Sequence, residues 1–391
     1  MISILSRWLI PDCDQYRDPN VRQKYGLLCG AVGIVLNILL FLGKLFAGMI
    51  SGSIAITADA FNNLSDAGSS LVTMLGFKLA GQKPDPEHPF GHGRVEYISG
   101  LVVAGLILLM GFELAKSSVE KILHPETVEF SWLAVGILLA AIAVKVYMYF
   151  YNHSTGKKID SAAMMATAAD SLSDSIATAA VLLATFVAHW FNLNIDGWIG
   201  VVVAGFILWA GYNAAKDTIS PLLGQAPDPE LVRGITETVL SFDHIVSIHD
   251  MVVHDYGPGR LMVSLHAEVP GEEDIFHLHD TIDLAEVALR EKFGCEAVIH
   301  MDPIDTNNEH ILTLRMKMTE MVQTLDPRIT VHDFRMVPGH THTNLIFDVA
   351  CPFDLDLTDS EIREKVNGMV TGLEGNYLPV VTVDRIYASE N

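Results

Sequence analysis

The sequence predicts a polytopic α-helical membrane body followed by a duplicated α+β domain. The evidence is the distribution of charge, six apolar stretches and an internal repeat. The chain has 391 residues, of which 50% are hydrophobic, yet its formal net charge is −22. Residues 1–225 hold 17 acidic and 14 basic side chains, whereas residues 226–391 hold 30 and 11. A single soluble globule is rarely both apolar and acidic, so we expect a membrane part followed by an acidic soluble part.

Six apolar stretches predict six transmembrane helices in residues 25–225. They are Tyr25–Ile50, Ile54–Ala80, Val95–Lys116, Phe130–Tyr151, Ala162–Trp190 and Trp198–Ala215. Each reaches or approaches the ~20 residues that a helix needs to cross a bilayer. Residues 1–24 contain a short apolar run without a small-residue cleavage site, which predicts a tail rather than a signal peptide.

Basic residues predict the orientation of these helices. An even number of spans places both termini on one side of the membrane. The tail and the loops 81–94 and 152–161 together carry eight Lys and Arg, whereas the opposite loops add little beyond Lys121. By the positive-inside rule, both termini are expected in the cytoplasm. We expect a multi-pass protein, located in the plasma (inner) membrane if the source is bacterial.

Composition excludes several classes of function. The negative charge argues against nucleic-acid binding and favours cations as partners. The four cysteines lie far apart, so neither a disulfide framework nor a thiolate zinc site is indicated. The sequence has no nucleophile with an adjacent base, no HExxH run and no Gly-rich phosphate loop. We therefore expect a protein that is not an enzyme and has no prosthetic group.

The second and fifth stretches carry acids at bilayer depth. Residues 57–66 read TADAFNNLSD and residues 168–174 read AADSLSD. In each, an Ala-Asp pair precedes a second oxygen ligand by four residues, which places both ligands on one helix face. Spacing alone leaves Asn62 and Asn63 as alternatives. A buried carboxylate is costly and normally faces an ion, a partner or water, so these acids indicate an ion path.

The alternative is that the acids pair with lysines and serve only packing. Lys44 and Lys145 lie near the ends of the predicted spans, where their ammonium groups can reach the interface. Two cations also cannot neutralise the four acids of these stretches, which are Asp59, Asp66, Asp170 and Asp174.

The acidic half predicts two copies of an αββαβ domain, at residues 226–305 and 306–391. In the first we expect helices at 228–241 and 275–293 and strands at 245–255, 260–269 and 296–301. In the second we expect helices at 309–325 and 359–373 and strands at 329–337, 344–350 and 379–386. The text Ser247–Met251 (SIHDM) matches Thr330–Phe334 (TVHDF), which gives a repeat of about 83 residues. This order of elements is ferredoxin-like.

These features together resemble the cation diffusion facilitator family of divalent-metal efflux proteins. The resemblance covers residues 20–305 and includes the six spans, the ADxxxN and ADSLSD runs, the loop DPEHPFGHGR at 85–94 and the acidic domain. It implies a homodimer in the lipid bilayer that exchanges divalent metal ions for protons.

The resemblance also implies the transport ligands. The family's four positions fall on Asp59, Asn63, Asp170 and Asp174, with Asp66 one turn further as a supporting or pathway residue. Zinc transporters of the family typically place His where this chain has Asp170. The set here is all oxygen, which suits manganese(II) and resembles the manganese-exporting branch, so manganese is the preferred substrate. Zinc, iron(II) and cobalt remain open.

Two further metal sites are implied. Asp85, His88 and His92 correspond to a loop site of zinc-transporting relatives, although a Gly-rich turn with hydrogen-bonded histidines would explain them too. Residues of the first repeat resemble positions that bind zinc between cytoplasmic domains. They are His249, His266, His279, His300 and Asp302. The alternative is that these histidines are scattered over strand surfaces. The second repeat exceeds the usual family pattern and is expected to enlarge the cytoplasmic interface or to add a regulatory surface.

Two other functions compete with the carrier. An ion channel would also use carboxylates but needs a continuous wet path, which one compact ligand cluster does not suggest. A membrane-anchored metal sensor would have no use for buried acids in its spans.

Overall fold

The computed structural model describes residues 2–16, 18–51, 54–124, 131–191 and 195–386. The chain forms two compact units. The first, the helical unit, contains Met1–Gln225 and Tyr256–Gly259; the second, the α/β unit, contains Ala226–Asp255 and Arg260–Asn391.

The helical unit consists of seven helices within the described residues. They are α1 (Ile2–Leu9), α2 (Pro19–Ser51), α3 (Ile54–Ala80), α4 (Val95–Leu123), α5 (Trp132–Lys158), α6 (Ala162–Phe191) and α7 (Asp196–Leu223). Five of the described helices, α2 and α4 to α7, are long and apolar enough to cross a membrane, and α3 is not among them. The short α1 was not predicted, and Phe130, the predicted start of the fourth span, lies outside the described residues.

Small side chains allow the helices around the acidic cluster to approach closely. A Cβ added at Gly100 of α4 would lie 3.0 Å from the Cα of Ala163 on α6. Thr73 of α3 and Thr167 of α6 share a hydrogen bond of 2.8 Å between their hydroxyl groups. Small residues at helix contacts are the usual means of bringing backbones together in membranes. The Gly100 contact brings α4 close to α6, and the Thr73–Thr167 hydrogen bond joins the acid-bearing helices α3 and α6.

A buried ion pair fixes the start of α2. Arg22 and Glu96 are 7% and 1% exposed, and Arg22 Nη2 lies 2.9 Å from Glu96 Oε1. The Arg22 guanidinium also donates to the carbonyls of Ile159 and Asp160, while Ser161 donates to Glu96. Arg22, which the sequence suggested only as an orientation signal, therefore has a structural role linking α2, α4 and the α5–α6 turn.

The α/β unit has the element order α-β-β-α-β twice. The first copy comprises α8 (Pro229–Val239), β1 (Ser247–Asp255), β2 (Leu261–Pro270), α9 (Ile275–Phe293) and β3 (Cys295–Ile304). The second comprises α10 (Glu309–Gln323), β4 (Thr330–Pro338), β5 (Thr343–Cys351), α11 (Asp359–Thr371) and β6 (Tyr377–Arg385). In each three-stranded sheet the first two strands are antiparallel, and the third pairs parallel with the second.

Each copy has its own apolar core. In β2 the alternate residues Val263, Leu265 and Ala267 are buried, as expected when one face of a strand packs inward. In the second copy, buried Leu345, Phe347 and Val349 occupy the same alternation on β5. The separate cores explain how a single chain contains two similar small domains.

The two sheets place equivalent residues at equivalent positions. His249 pairs with His266, which pairs with His300, across β1, β2 and β3. Across β4, β5 and β6 the corresponding row is His332, Asp348 and Thr382. The register shifts immediately after His249 and after His332, where the next residues, Asp250 and Asp333, have φ angles of 51° and 47°.

One carboxylate joins the copies. Glu268 on β2 is fully buried, and it accepts hydrogen bonds from Ser247, from Arg315 of α10 at 2.7 Å and from the Asp333 amide of β4 at 3.1 Å. Burial opposes ionisation of Glu268, but these partners outweigh it and lower the pKa from its ordinary 4.5. The Glu268–Arg315 ion pair therefore stabilises the contact between the two copies above pH 4.5. This stabilisation is lost as the pH falls through the lowered pKa of Glu268.

We predict that Arg315→Met loosens the contact between the copies, because it leaves the Glu268 carboxylate buried without a cation. Breaking a buried pair costs about 3–5 kcal/mol. Hydrogen-exchange mass spectrometry on the full chain should show faster exchange in β2 and β4. Arg328→Met removes the exposed partner of Asp354 and serves as the control, since such pairs contribute about 0–1 kcal/mol. Equal effects of the two substitutions would contradict the prediction.

Candidate metal sites and family

Three carboxylates meet inside the helical unit. Asp66 of α3 and Asp170 and Asp174 of α6 each offer an oxygen within 4.8 Å of the others. Asp66 and Asp170 are 5% and 4% exposed, and Asp170 Oδ1 has no hydrogen-bond partner. Asp66, which we expected only as a supporting or pathway residue, lies in the same cluster as the two predicted ligands of α6.

Of the two transport ligands expected on α3, the structure describes the side chain of Asn63 and not that of Asp59. Asn63 lies one turn before Asp66 on α3 and is 2% exposed, so its amide is inside the bundle. Asp59 belongs to α3, but its side chain lies outside the described residues. The described cluster is thus Asp66, Asp170 and Asp174, with Asn63 buried on the same helix as Asp66.

Lys145 binds two of these carboxylates. Its Nζ lies 2.6 Å from Asp66 Oδ2 and 2.6 Å from Asp174 Oδ2, and its side chain is 5% exposed. The expectation that Lys145 lies near a span end and reaches the interface is wrong, because α5 continues to Lys158 and places Lys145 at its middle. Lys44 is also buried. Acids of the cluster therefore do pair with a lysine, as our alternative explanation expected. The cluster nevertheless contains three carboxyl groups, and Lys145 contacts two of them.

The structure brings the predicted loop residues together. His88 Nδ1 and His92 Nε2 each lie 3.4 Å from the Asp85 carboxylate, and the two rings are 4.6 Å apart. The backbone amides of His88 and Glu87 donate to Asp85 and, with the two imidazoles, lower the pKa of its carboxyl. His92 Nδ1 is buried without a hydrogen bond. The loop thus combines the hydrogen-bonded turn of the alternative with three converging potential ligands.

Four of the five predicted residues of the first repeat also converge. Asp302 contacts three histidines: His266 Nδ1 at 2.8 Å, and His249 Nε2 and His300 Nε2 each at 3.3 Å. His279 lies apart on α9, where it is exposed and contacts Asp283, because the neighbouring Leu278 and Ile282 face the core.

The cluster continues into the second repeat, which sequence reasoning missed. The rings of His249 and His332 stack with centroids 4.2 Å apart. His332 also forms a group with Asp348 and Asp384 whose potential ligand atoms all lie within 4.8 Å of one another. The matched texts SIHDM and TVHDF identified His332 as the counterpart of His249, but the same 83-residue offset takes His266 and Asp302 to Val349 and Arg385, one residue after Asp348 and Asp384.

Close contacts within this cluster shift the pKa values of two of its carboxyl groups in opposite directions. His249 Nδ1 lies 3.3 Å from Asp250 Oδ2 and His332 Nε2 lies 3.6 Å from Asp250 Oδ1, and the two imidazoles lower the pKa of the Asp250 carboxyl. Burial, reinforced by repulsion from Asp250 and Asp348, raises the pKa of Asp384.

Comparison with known proteins gives a separate family match within each of the two units. Residues 31–223 match the family model described as the cation efflux transmembrane domain. Residues 227–304 match that of the cation efflux protein cytoplasmic domain, whose name, ZT_dimer, indicates dimerisation. The second repeat lies beyond both matches.

Several curated proteins are similar over most of their length. An uncharacterized transporter of Methanocaldococcus jannaschii is 30% identical over 279 residues, which is 70% of this chain and 97% of the relative. Metal tolerance protein 2 of Oryza sativa subsp. japonica is 28% identical over 72% of this chain and 79% of its own. The cation-efflux pump FieF of Pectobacterium carotovorum is 26% identical over 70% and 91%.

The chain therefore belongs to the cation diffusion facilitator family of cation efflux proteins. Members of this family are transporters and not enzymes, as we expected from the absence of catalytic motifs. The apolar helices and the transmembrane-domain match make it an integral membrane protein with a cytoplasmic α/β domain.

We predict that Lys145→Met lowers the KM for the transported metal about tenfold, equivalent to about 1.4 kcal/mol. The ammonium group occupies oxygens of Asp66 and Asp174, so a cation entering the cluster must compete with it. Metal flux into proteoliposomes measures the change. Lys116→Met, which removes an exposed lysine of α4, is the control. An unchanged or higher KM in a folded Lys145→Met protein would show that the ammonium does not compete.

Proposed function

We propose that this protein exports manganese(II) from the cytoplasm in exchange for protons by alternating access. The supporting observation is the cluster of Asp66, Asp170 and Asp174, which come from two helices of a membrane bundle and reach within 4.8 Å of one another. Buried acids with no use in an anchor favour a carrier over a membrane-anchored sensor.

The choice of metal rests on the donor atoms. The proposed transport ligands are Asp59, Asn63, Asp170 and Asp174, with Asp66 beside them, so every donor is an oxygen. Carboxylate and amide oxygens suit manganese and magnesium, whereas imidazole and thiolate favour zinc. Zinc, iron(II) and cobalt are the alternative substrates, because the order of affinities favours zinc over manganese at most sites.

Proton coupling follows from the charge of the cluster. One ammonium group faces three carboxyl groups, so the ionised cluster has an excess of negative charge in poorly hydrated surroundings. Like charges at short range and burial both favour protonation of a carboxylate when no metal is bound. Metal entering from the cytoplasm displaces protons, and protons entering from outside displace the metal.

The remaining assignments extend the same proposal. We place six membrane spans in the helical unit, with α3 as the second, both termini in the cytoplasm and the protein in the plasma (inner) membrane. We propose a homodimer. The loop residues Asp85, His88 and His92 would bind metal near the cytoplasmic entrance.

The decisive experiment is metal flux into proteoliposomes under an opposing proton gradient, with manganese, zinc, iron(II) and cobalt compared. We expect manganese flux by the wild type and gain of zinc flux by Asp170→His, because imidazole replaces a hard oxygen donor. Zinc flux without manganese flux by the wild type would overturn the choice of metal while preserving the carrier.

We further predict that Asp174→Ala abolishes transport and leaves a folded protein. This substitution removes a carboxylate of the cluster and one partner of Lys145. Asp217→Ala, at an exposed acid of α7, should transport like the wild type. Wild-type flux by the Asp174→Ala protein would refute the transport site.

A further inference from the structure

Four carboxylates gather where the two repeats of the α/β unit meet. Asp250 and Asp302 come from the first repeat, and Asp348 and Asp384 from the second. Within the described part of the chain, no lysine or arginine forms an ion pair with any of the four. The acids face imidazoles instead, in a half of the chain that already carries a large excess of acid.

Two of the histidines are buried with an unsatisfied nitrogen. His332 is 5% exposed and the side chain of His249 is 6% exposed, and Nε2 of each has no hydrogen-bond partner. His332 Nε2 lies 3.6 Å from Asp250 Oδ1, beyond hydrogen-bond distance. A buried polar atom without a partner is costly unless a ligand satisfies it. These nitrogens are therefore a second indication of a ligand, independent of the acids.

The strand register shows that the potential ligands of the second repeat occupy positions equivalent to those of the histidines and Asp302 in the first repeat. Asp348 pairs with His332 as His266 pairs with His249, and Asp384 takes the position of Asp302. The backbone conformation after both histidines is also the same, with a left-handed aspartate. The second repeat has thus replaced an imidazole by a carboxylate while keeping groups that can bind a metal.

We propose that His332, Asp348 and Asp384, together with Asp250 of the first repeat, bind a divalent transition-metal ion that joins the two repeats. Zinc bonds of about 2.0–2.2 Å to nitrogen and oxygen place ligands within about 4.4 Å of one another, which small side-chain movements can reach from the observed spacing. One imidazole with carboxylates is a donor set that zinc, iron and cobalt accept. Because Asp250 lies on β1, the ion links both sheets within a single chain.

The ion would supply the positive charge that the cluster lacks. Binding only the folded arrangement of the two repeats, it stabilises that arrangement by mass action. The second repeat then has a defined role, because it completes a metal-dependent contact inside the protomer. This binding does not depend on metal transport through the membrane.

The test compares zinc(II) binding by the full-length protein in detergent after treatment with chelator. Asp348→Asn/Asp384→Asn removes two ligands and relieves repulsion, so the fold should persist. Asp354→Asn/Asp356→Asn removes two exposed acids of the same repeat and is the matched control. Equilibrium dialysis should show one fewer zinc ion per chain for the first variant and the wild-type number for the control.

Hydrogen exchange supplies the second measurement. Zinc at 100 times its Kd should slow exchange of β4 and β6 amides up to about 100-fold in wild type and control, and not in Asp348→Asn/Asp384→Asn. Equal zinc numbers in all three proteins, or equal protection in all three, would overturn the proposed site. Because neither measurement involves flux, failure here is distinguishable from failure of the transport function.

Discussion

The Lys145 ammonium between Asp66 and Asp174 is the interaction on which the membrane cluster depends. Three carboxyl groups inside a helical bundle repel one another, and burial removes the water that would otherwise screen them. Lys145 offsets part of this charge and holds α5 against α3 and α6. It leaves one further acid, Asp170, with an oxygen that has no hydrogen bond. The cluster is therefore stable enough to fold yet retains negative charge for a proton or a metal ion.

Buried carboxyl groups in the α/β unit also need partners, and Glu268 and the cluster around His249 and His332 have different ones. Glu268 is fully buried and satisfied by Ser247, Arg315 and a backbone amide, so it serves packing between the repeats. The nearby cluster around His249 and His332 has imidazoles in place of a permanent cation. A satisfied buried charge fixes structure, whereas an unsatisfied one is available for binding. This contrast separates Glu268 from the candidate metal ligands a few residues away.

Much of the fold could be predicted because its signals are local. Hydropathy and periodicity gave α3 at Ile54–Ala80 and α9 at Ile275–Phe293 with both ends in place. Lys145 was misjudged because the apolar run ends at Tyr151, whereas polar residues continue α5 to Lys158. Hydropathy reports where a helix is apolar and does not report where it ends. The apolar run therefore did not show that Lys145 lies at the middle of α5.

The predicted sites show the same division between local and long-range information. Asp85, His88 and His92 are close in sequence, and the structure places them together. The contact of His249 with His332 joins residues in two domains, and only the strand register identifies Asp348 and Asp384 as their companions. Asp348 of the second repeat corresponds to His266 of the first, so the two sequences differ at this position although both side chains can bind a metal.

The two proposed sites differ in donor atoms, so they discriminate metals differently. The membrane site offers only oxygen, whereas the site between the repeats includes imidazole, which raises affinity for zinc more than for manganese. The proposed site between the repeats would then prefer zinc, whereas the proposed membrane site would not share that preference. Metal bound between the repeats cannot simply report the abundance of the exported ion. Its physical role is to hold the repeats together, and a change in transport would follow only where that contact alters the cytoplasmic domain.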